Sequence, residues 1–351
     1  QNQKLGATTN YTFCRNMKND LISIIMPVKN AGLYLEDCII SIQSQTETNW
    51  ELIAVNDAST DNSEDLLNWF SSVDERIHYL NNNGSGIIDA LKCGYTEAVG
   101  RFIHRMDADD LMVPEKLASL KEKLIHVGEG NVVTGKVEYF AAEGVNDGYL
   151  NYQNWLNELC DKGTHWRELF KECVIASPNW LVYRSDFEKC GAFNSEIYPE
   201  DYDLVFRMHQ KGLNVVAVET ITHLWRDHQE RSSRNDENYA AYTFFEIKLR
   251  YFLALKYDKN RPLMVWGAGK KGKDLAKKLQ SKNVPFTWVS NNPNKHGKEI
   301  YDQLMESFES IATKDQPQII ITVALKNAKT QIIDFLDKLM LEEGKDYFFF
   351  S

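Results

Sequence analysis

The feature that most constrains this chain is an alternation of short apolar runs, rich in β-branched residues, with stretches of helical apolar spacing. The runs that predict strands near the start of the chain are Leu21–Met26, Glu51–Val55, Arg76–Leu80 and Arg101–Met106. Between them, residues 31–45, 61–70 and 87–99 have apolar residues at helical spacing. We therefore predict an α/β fold with a mixed, mostly parallel sheet between helices, and ligands at the carboxyl ends of its strands. Pro27 is expected to end the first strand.

A second α/β unit is predicted after a polar stretch. The first unit continues through predicted strands at Asn131–Val137, Trp180–Tyr183 and Lys211–Val218, and a predicted helix at Tyr239–Tyr257. The polar residues 258–262 follow, and the βα pattern then restarts. Because 351 residues exceed one core of ordinary size, we predict a polar N-terminal extension at 1–20, a first domain at 21–257 and a small Rossmann-like accessory domain at 262–351.

The predicted accessory domain has four short strands and a glycine-rich turn. Gly267–Gly272 matches G-x-G-x-x-G after a predicted strand, a pattern that holds a pyrophosphate in dinucleotide-binding proteins. That fingerprint also needs an acid at the end of the second strand, where this chain has Ser290 and Asn291. We therefore expect no NAD to bind, and interpret the glycines as allowing tight strand-to-helix packing. Residues 299–311 are predicted to be helical.

Charge and composition narrow the functional classes. The net charge of −10 argues against a protein that holds nucleic acid mainly through phosphates. A local cluster of lysines runs against this trend and consists of Lys270, Lys271, Lys273, Lys277, Lys278 and Lys282. It is either a solvated helix face or a surface for an anionic acceptor. Aromatic residues make up 12% of the chain and serve core packing or sugar stacking.

The cysteines and the hydropathy pattern indicate a cytoplasmic protein. The six cysteines form no C-x-x-C pair and no zinc-site spacing, so we expect reduced thiols. No apolar run approaches the roughly 18 residues that span a bilayer. Residues 1–20 lack the apolar segment of a signal peptide.

An acidic cluster follows the fourth predicted strand. Asp107 and Asp109 are separated by one residue, so their side chains point the same way in extended backbone. Mg²⁺ and Mn²⁺ prefer oxygen ligands, usually one or two carboxylates together with phosphate oxygens. The pattern therefore fits a cation that neutralises a diphosphate, although an isolated D-x-D is more often a solvated acidic turn.

Five segments in order place that cluster in a wider pattern. They are Ser23–Ala31, Asn56–Asp61, Arg105–Asp110, Glu200–Arg207 with Gly212, and Trp225–Ser233. Together they resemble glycosyltransferase family 2 over about residues 21–233. The resemblance implies a GT-A fold, a nucleotide-sugar donor and a divalent cation, Mn²⁺ or Mg²⁺.

The resemblance also implies roles for individual residues. It assigns the nucleotide-sugar site to Pro27, Lys29, Asp57, Lys92, Asp107 and Arg226. Lys92 is included as a substitute for an arginine that many family members carry after the Asn-x-Gly turn, in the stretch where this chain has Asp89–Lys92. Asp109 is the implied metal ligand, with His228 as a further metal or diphosphate contact. Asp201 is the implied general base of an inverting displacement.

Simpler interpretations of the same residues stay open. Asp201 could be a carboxylate that favours a helix N-terminus, and Asp57 could cap the following helix together with Ser59. His228 lies among charged residues, where surface histidines are common.

Three functional hypotheses follow. The first is an inverting, metal-dependent transferase that moves a hexose from a UDP-sugar to a hydroxyl of a glycan, a polysaccharide or a small acceptor. The second arises because the Trp266–Lys270 turn and the Leu341–Ser351 segment give the chain a layout that resembles the queuosine-tRNA galactosyltransferases. That likeness implies UDP-galactose as the donor and a cyclopentenediol hydroxyl on a tRNA base as the acceptor. The third is a catalytically inactive protein that binds nucleotide sugars or serves as a scaffold.

Overall fold

Two sheets organise the chain. The structure is a computed structural model that describes residues 18–239, 241–323 and 326–351. Most of the predicted N-terminal extension, residues 1–17, lies outside the described residues. No helix in the described ranges is long and apolar enough to cross a bilayer. The five described cysteines are free thiols.

The first sheet contains eight strands within the described residues. They are β1 (Lys18–Val28), β2 (Trp50–Asn56), β3 (Ile77–Asn81), β4 (Gly100–Arg105), β5 (Leu111–Met112), β6 (Asn131–Phe140), β7 (Trp180–Tyr183) and β8 (Asn214–Arg226). Their order across the sheet is β3-β2-β1-β4-β7-β6-β8-β5. β5 and β7 run antiparallel to their neighbours, and the other pairs are parallel. The predicted mixed, mostly parallel sheet is confirmed.

Helices connect these strands and cover the sheet. They are α1 (Leu35–Gln43), α2 (Ser63–Val73), α3 (Ile87–Glu97), α4 (Lys116–Val127), α5 (Asp147–Lys162), α6 (Arg184–Lys189), α7 (Glu200–Gln210), α8 (Ser232–Asn235) and α9 (Ala241–Leu255). Every residue of β2 is buried, as expected for a parallel strand that is covered on both faces.

The prediction that Pro27 ends the first strand is wrong, since β1 continues to Val28. The last paired residues of β1 and β4 are Ile25 and Arg105, whereas the pairing with β2 continues through Pro27 and Val55. Alternate residues of a parallel strand bond to opposite neighbours. The backbone nitrogen of Pro27 therefore points to the side where β4 has already ended. Because no acceptor of the sheet lies there, the lack of an N–H at Pro27 removes no hydrogen bond between strands.

Strand β8 is longer than the predicted 211–218 strand and extends to Arg226. Its register against β6 shifts around Gly135. A Cβ atom at Gly135 would lie 2.4 Å from Oγ1 of Thr222, so this close approach requires glycine. The extension carries Trp225 and Arg226 to the end of the sheet where β4 terminates.

The second sheet has six described strands rather than the predicted four. They are β9 (Leu263–Trp266), β10 (Thr287–Ser290), β11 (Glu299–Ile300), β12 (Gln303–Ser307), β13 (Gln318–Ile321) and β14 (Tyr347–Phe349). Their order is β11-β12-β10-β9-β13-β14, and only the β11–β12 pair is antiparallel. The helices are α10 (Lys270–Ser281) and α11 (Lys326–Lys338).

The predicted helix at 299–311 is wrong, because β11 and β12 form a hairpin there and a 3-10 helix follows at Phe308–Thr313. The two-residue turn of the β11–β12 hairpin consists of Tyr301 and Asp302, with φ values of 54° and 57°. Such turns require a positive φ at both central residues, and this local geometry does not show in apolar spacing.

Aromatic side chains join the second sheet to the first unit. Phe350, which follows β14, stacks on Phe170 with ring centroids 5.7 Å apart, and its ring is edge-on to Phe252 at 5.9 Å. Phe348 also packs on Phe170 and Phe252. One buried apolar cluster therefore includes residues of both units. The domain limits at 20, 257 and 262 stay a prediction.

Candidate active site

A cleft of about 940 Å³ lies at the carboxyl ends of β1, β2 and β4, as predicted for this sheet. Seven of the predicted site residues line it together: Pro27, Lys29, Asp57, Asp107, Asp109, Asp201 and His228. The first five follow or end strands that are neighbours in the sheet, because β1 lies between β2 and β4, whereas Asp201 comes from α7 and His228 from the segment after β8.

Asp57 follows β2 and is held by several donors. Lys29 Nζ lies 3.1 Å from Oδ2, and Asn82 Nδ2 donates to Oδ1 at 2.7 Å. The backbone N–H of Gly86, a residue with φ of 86°, donates to both oxygens at 3.0 Å. Burial alone would raise the pKa of Asp57, but these hydrogen bonds lower it below its ordinary value. Asp57 is thus an ionised acceptor. It does not cap the following helix with Ser59, since α2 begins at Ser63 and its N-cap residue is Asn62.

Arg105, at the end of β4, links two acidic regions of the cleft. Its Nε donates to Asp107 Oδ1 and its Nη1 to Glu200 Oε1, each at 2.9 Å. Ser177 also donates to Asp107, at 3.3 Å. The Arg105 side chain is only 5% exposed, so this charge is compensated by its two carboxylate partners. Arg105 is not among the site residues predicted from the sequence, although it stands two residues before Asp107.

Asp109 and His228 form a close pair that could supply two ligands to a cation. Asp109 Oδ2 lies 2.8 Å from His228 Nε2, and the His228 ring packs on Tyr34 at 4.5 Å. The buried Nδ1 of His228 has no hydrogen-bond partner. Among the described residues, no group of three or more His, Cys, Asp or Glu side chains is arranged to hold a metal ion. A cation at this pair would therefore take its remaining ligands from substrate and water, which is common for Mg²⁺.

Arg226 lies behind the acidic turn and does not line the cleft. Its Nε donates to the backbone oxygen of Asp109 at 2.8 Å, and its N–H donates to Asp110 Oδ1 at 2.8 Å. The guanidinium lies over the rings of Tyr34 and Phe140. The expected diphosphate contact is therefore replaced by a role in holding the backbone of the turn.

Arg231 is an arginine of the same segment that the sequence analysis does not single out. It lines the cleft, and its Nη1 is buried without a hydrogen-bond partner. Its guanidinium lies 5.3 Å from the Trp225 ring centroid and 5.6 Å from that of Tyr139. An unpartnered buried guanidinium N–H costs free energy, which an anionic ligand would recover. The one signal in the sequence that could have identified Arg231 is its position three residues after His228.

Lys92 is also absent from the cleft lining. Its Nζ pairs with Glu196 Oε1 at 2.8 Å. The expected contact between Lys92 and the donor is thus not favoured by this geometry. The side chains of Ser232 and Ser233, which belong to the fifth motif, lie outside the described part of the structure.

Asp201 lies in the first turn of α7 and faces the cleft. Burial and the neighbouring charge of Glu200 raise its pKa to about 7, against the opposing effect of Arg105. Glu200 is itself held by Arg105 and by the hydroxyl of Tyr239, which donates at 2.6 Å. A carboxylate with a pKa near neutrality can accept a proton from a substrate hydroxyl.

The glycine-rich turn before α10 packs as the sequence predicts. A Cβ atom at Gly272 would lie 2.0 Å from the carbonyl oxygen of Gly267, and one at Gly267 would lie 2.4 Å from Thr322 Oγ1. The Trp288 indole donates to the Gly267 carbonyl at 2.8 Å, and Lys295 Nζ donates to that of Ala268 at 2.7 Å. These contacts account for Gly267 and Gly272 through strand-to-helix packing, whereas a Cβ atom at Gly269 would meet nothing within 4 Å.

Comparisons with known proteins agree with this geometry. Residues 23–191 match the model of the family described as Glycosyl transferase family 2. Glycosyltransferase GlyG of Streptococcus pneumoniae is 30% identical over 216 residues, which are 59% of this chain and 71% of GlyG. The putative teichuronic acid biosynthesis glycosyltransferase TuaG of Bacillus subtilis is 40% identical over 99 residues, covering 28% of this chain and 39% of TuaG. Glycosyltransferase GlyA of S. pneumoniae is 28% identical over 153 residues, 44% of this chain but only 22% of GlyA.

A solved structure supports the fold. S. aureus TarS 1-349 in complex with UDP-GlcNAc superposes with a TM-score of 0.52 at 14% identity, covering 74% of this chain and 71% of the TarS chain. The resemblance to queuosine-tRNA galactosyltransferases stays a prediction. The motif order, the cleft and these relatives together show that the chain belongs to glycosyltransferase family 2 and has a GT-A fold.

Proposed function

We propose that this protein is an inverting, metal-dependent hexosyltransferase that uses a UDP-sugar donor. The observation that carries the proposal is the position of Asp201, a carboxylate with a pKa of about 7, in the same cleft as Asp57, Asp107 and Asp109. A transferase of this kind needs a proton acceptor beside a site for a nucleoside diphosphate. The TarS structure with UDP-GlcNAc supports the choice of donor.

The donor is assigned to the residues at the ends of β1, β2 and β4. Pro27, Lys29 and Asp57 hold the nucleoside, with the ionised Asp57 accepting hydrogen bonds from the base. Asp107 accepts from the ribose. Arg231 binds the diphosphate, which gives a partner to its buried Nη1.

A divalent cation, Mn²⁺ or Mg²⁺, is assigned to Asp109 and His228. The two donor atoms lie 2.8 Å apart, and both side chains line the cleft. When bound, the cation neutralises the charge that develops on the leaving diphosphate.

Asp201 then acts as the general base. Its carboxylate accepts the proton of the acceptor hydroxyl while the hydroxyl oxygen forms a bond to the anomeric carbon. The bond from that carbon to the diphosphate breaks, and UDP leaves with the electron pair. This single displacement inverts the anomeric configuration.

Thermal-shift measurements with a panel of UDP-sugars test the donor site. The wild type, Asp109→Ala and the exposed control Asp65→Ala are each measured with Mn²⁺, Mg²⁺ or EDTA. We expect stabilisation of the wild type and the control only in the presence of a cation, and loss of that stabilisation in Asp109→Ala. If no UDP-sugar stabilises the wild type with either metal, the proposal fails.

The same panel separates the two alternatives. For the queuosine-tRNA hypothesis, UDP-galactose should stabilise the protein most, and radiolabelled galactose should enter queuosine-containing tRNA. The feature that favours this hypothesis is Lys271 of the lysine cluster, which lines the cleft. For an inactive binding protein, UDP-sugars should bind without UDP release. The presence of Asp201 in the same cleft as Asp57, Asp107 and Asp109 favours the active enzyme.

A further inference from the structure

The second sheet unit contributes residues to the wall of the active-site cleft. Lys271, in the first turn of α10, and Phe350, which follows β14, both line it. Phe350 packs on Phe245 of α9 with ring centroids 5.8 Å apart. Beside Phe245 in the wall is Lys248, also on α9. This part of the cleft is therefore composite, with its side chains drawn from both units.

The composite wall lies on the acceptor side of the proposed reaction. Lys248 is 4% exposed, and its Nζ lies 3.9 Å from Oε2 of Glu172. The next residue, Cys173, also lines the cleft. Burial raises the pKa of its thiol, and the nearby carboxylate of Asp201 raises it further. Because Asp201 receives the proton of the acceptor, residues packed around it face the acceptor rather than the nucleoside.

The ammonium groups of Lys248 and Lys271 line the same cleft. Burial lowers the pKa of Lys248, and the positive charge of Lys271 lowers it further, against the opposing effect of Glu172. Lys271 itself is exposed. Two cations that repel each other across a cleft are stabilised by an anion that binds between them.

The stability of α10 does not explain these charges. Its first turn carries Lys270, Lys271 and Lys273 and no acid. Cations are unfavourable at a helix N-terminus because they oppose the macrodipole. Lys271 is thus placed where it costs stability and where it faces the cleft.

We propose that Lys271, together with Lys248, binds an anionic group of the acceptor, a phosphate or a carboxylate near the hydroxyl that receives the sugar. The second sheet unit thereby selects the acceptor. This inference rests on the proposed function, because it concerns the acceptor side of the same cleft.

The test measures binding of three small sugars by calorimetry while UDP and Mn²⁺ fill the donor site. The probes are glucose, glucose 6-phosphate and glucuronate, so that the phosphate and carboxylate sources are separated. We expect at least one anionic sugar to bind the wild type about tenfold more tightly than glucose, in line with one charge-assisted contact. Lys271→Gln should abolish this preference. Lys273→Gln, an exposed lysine of the same turn, should retain it.

Two outcomes would overturn the inference. One is equal binding of the neutral and anionic sugars by the wild type, and the other is an anionic preference that survives in Lys271→Gln. Hydrolysis of the UDP-sugar in the absence of acceptor is measured on separate samples of the same proteins, with Mn²⁺ but without added UDP. If the wild type neither binds nor hydrolyses any UDP-sugar, it is the proposed function that fails; if donor hydrolysis persists without an anionic preference, only the acceptor inference fails.

Discussion

At the scale of single residues, the chemistry depends on how the surroundings of one carboxylate set its affinity for a proton. Asp201 is half-buried beside Glu200, and both the partial burial and the charge of Glu200 favour its protonated form. Arg105 opposes them, but it divides its two hydrogen bonds between Glu200 and Asp107. The result is a pKa of about 7, whereas a fully compensated aspartate would stay ionised far below neutrality.

This environment predicts how activity depends on pH. A base must be deprotonated to act, so the rate of UDP release with acceptor should rise as the pH passes through about 7 and then level off. Because Glu200 raises the pKa of Asp201, Glu200→Gln should move this rise to lower pH. The exposed control Glu237→Gln should leave the profile unchanged, and Asp201→Asn should lower the rate about 10²–10⁴-fold and remove the dependence. A profile that is the same in Glu200→Gln and the wild type would contradict the assignment.

At the scale of elements, a buried hydrogen-bond network connects the acidic turn after β4 to α4 and β8. Lys116 Nζ donates to the carbonyl oxygen of Pro178 at 2.7 Å and lies 2.9 Å from His223 Nδ1. The other ring nitrogen of His223 lies 3.1 Å from Asp110 Oδ2, and Asp110 Oδ1 accepts from the N–H of Arg226. Burial lowers the pKa of His223 well below its ordinary value, which favours the neutral ring that accepts from Lys116 and donates to Asp110.

Removing the Lys116 side-chain donor from this network should destabilise the protein. Lys116→Met leaves the Pro178 carbonyl and the His223 ring without their donor in a site with no access to water, since Lys116 is 0% exposed. We expect the free energy of unfolding to fall by about 3 kcal/mol in urea titrations. Lys123→Met, on the same helix but partly exposed, should change it by less than about 0.5 kcal/mol. Equal stability of the two variants would show that the buried ammonium does not hold the turn.

At the scale of the whole molecule, the two sheets share apolar packing next to the cleft. Phe348 and Phe350 insert their rings among those of Phe170 and Phe252, and Phe350 also forms part of the cleft wall. An ion pair between Arg167 and Glu343, 3.2 Å apart, joins the same two units. The second sheet unit is therefore attached where it can influence which molecules enter the cleft.

Removal of one ring should reveal the strength of this attachment. Phe350 is 1% exposed, so Phe350→Ala creates a cavity that we expect to lower the free energy of unfolding by about 3–5 kcal/mol. The control Leu304→Ala changes a side chain that is 57% exposed and should have an effect within about 0.5 kcal/mol. Urea unfolding followed by tryptophan fluorescence measures both. A loss below about 1 kcal/mol for Phe350→Ala would mean that the units do not depend on this packing.

The sequence by itself determined the features that depend on neighbouring residues. Apolar spacing located the strands of the first sheet except the two-residue β5, and the alternation of strands and helices predicted a cleft at the carboxyl ends of the strands. The positions of Asp57, Asp107 and Asp109 at strand ends were sufficient to place them in that cleft, because parallel strands end at the same edge of a sheet. Asp201 and His228 were found through the order of the family's motifs.

Only the tertiary structure decided which of several long basic side chains face the cleft. Arg226 and Arg231 are five residues apart, yet Arg226 donates to the backbone of the acidic turn whereas Arg231 lines the cleft. Lys92 was expected near the donor and instead pairs with Glu196, while Lys271 reaches the cleft from a different sheet unit. The physical reason is that a strand's direction follows from local spacing, whereas the direction of a long side chain depends on partners that lie far away in the sequence and meet it only after the chain has folded.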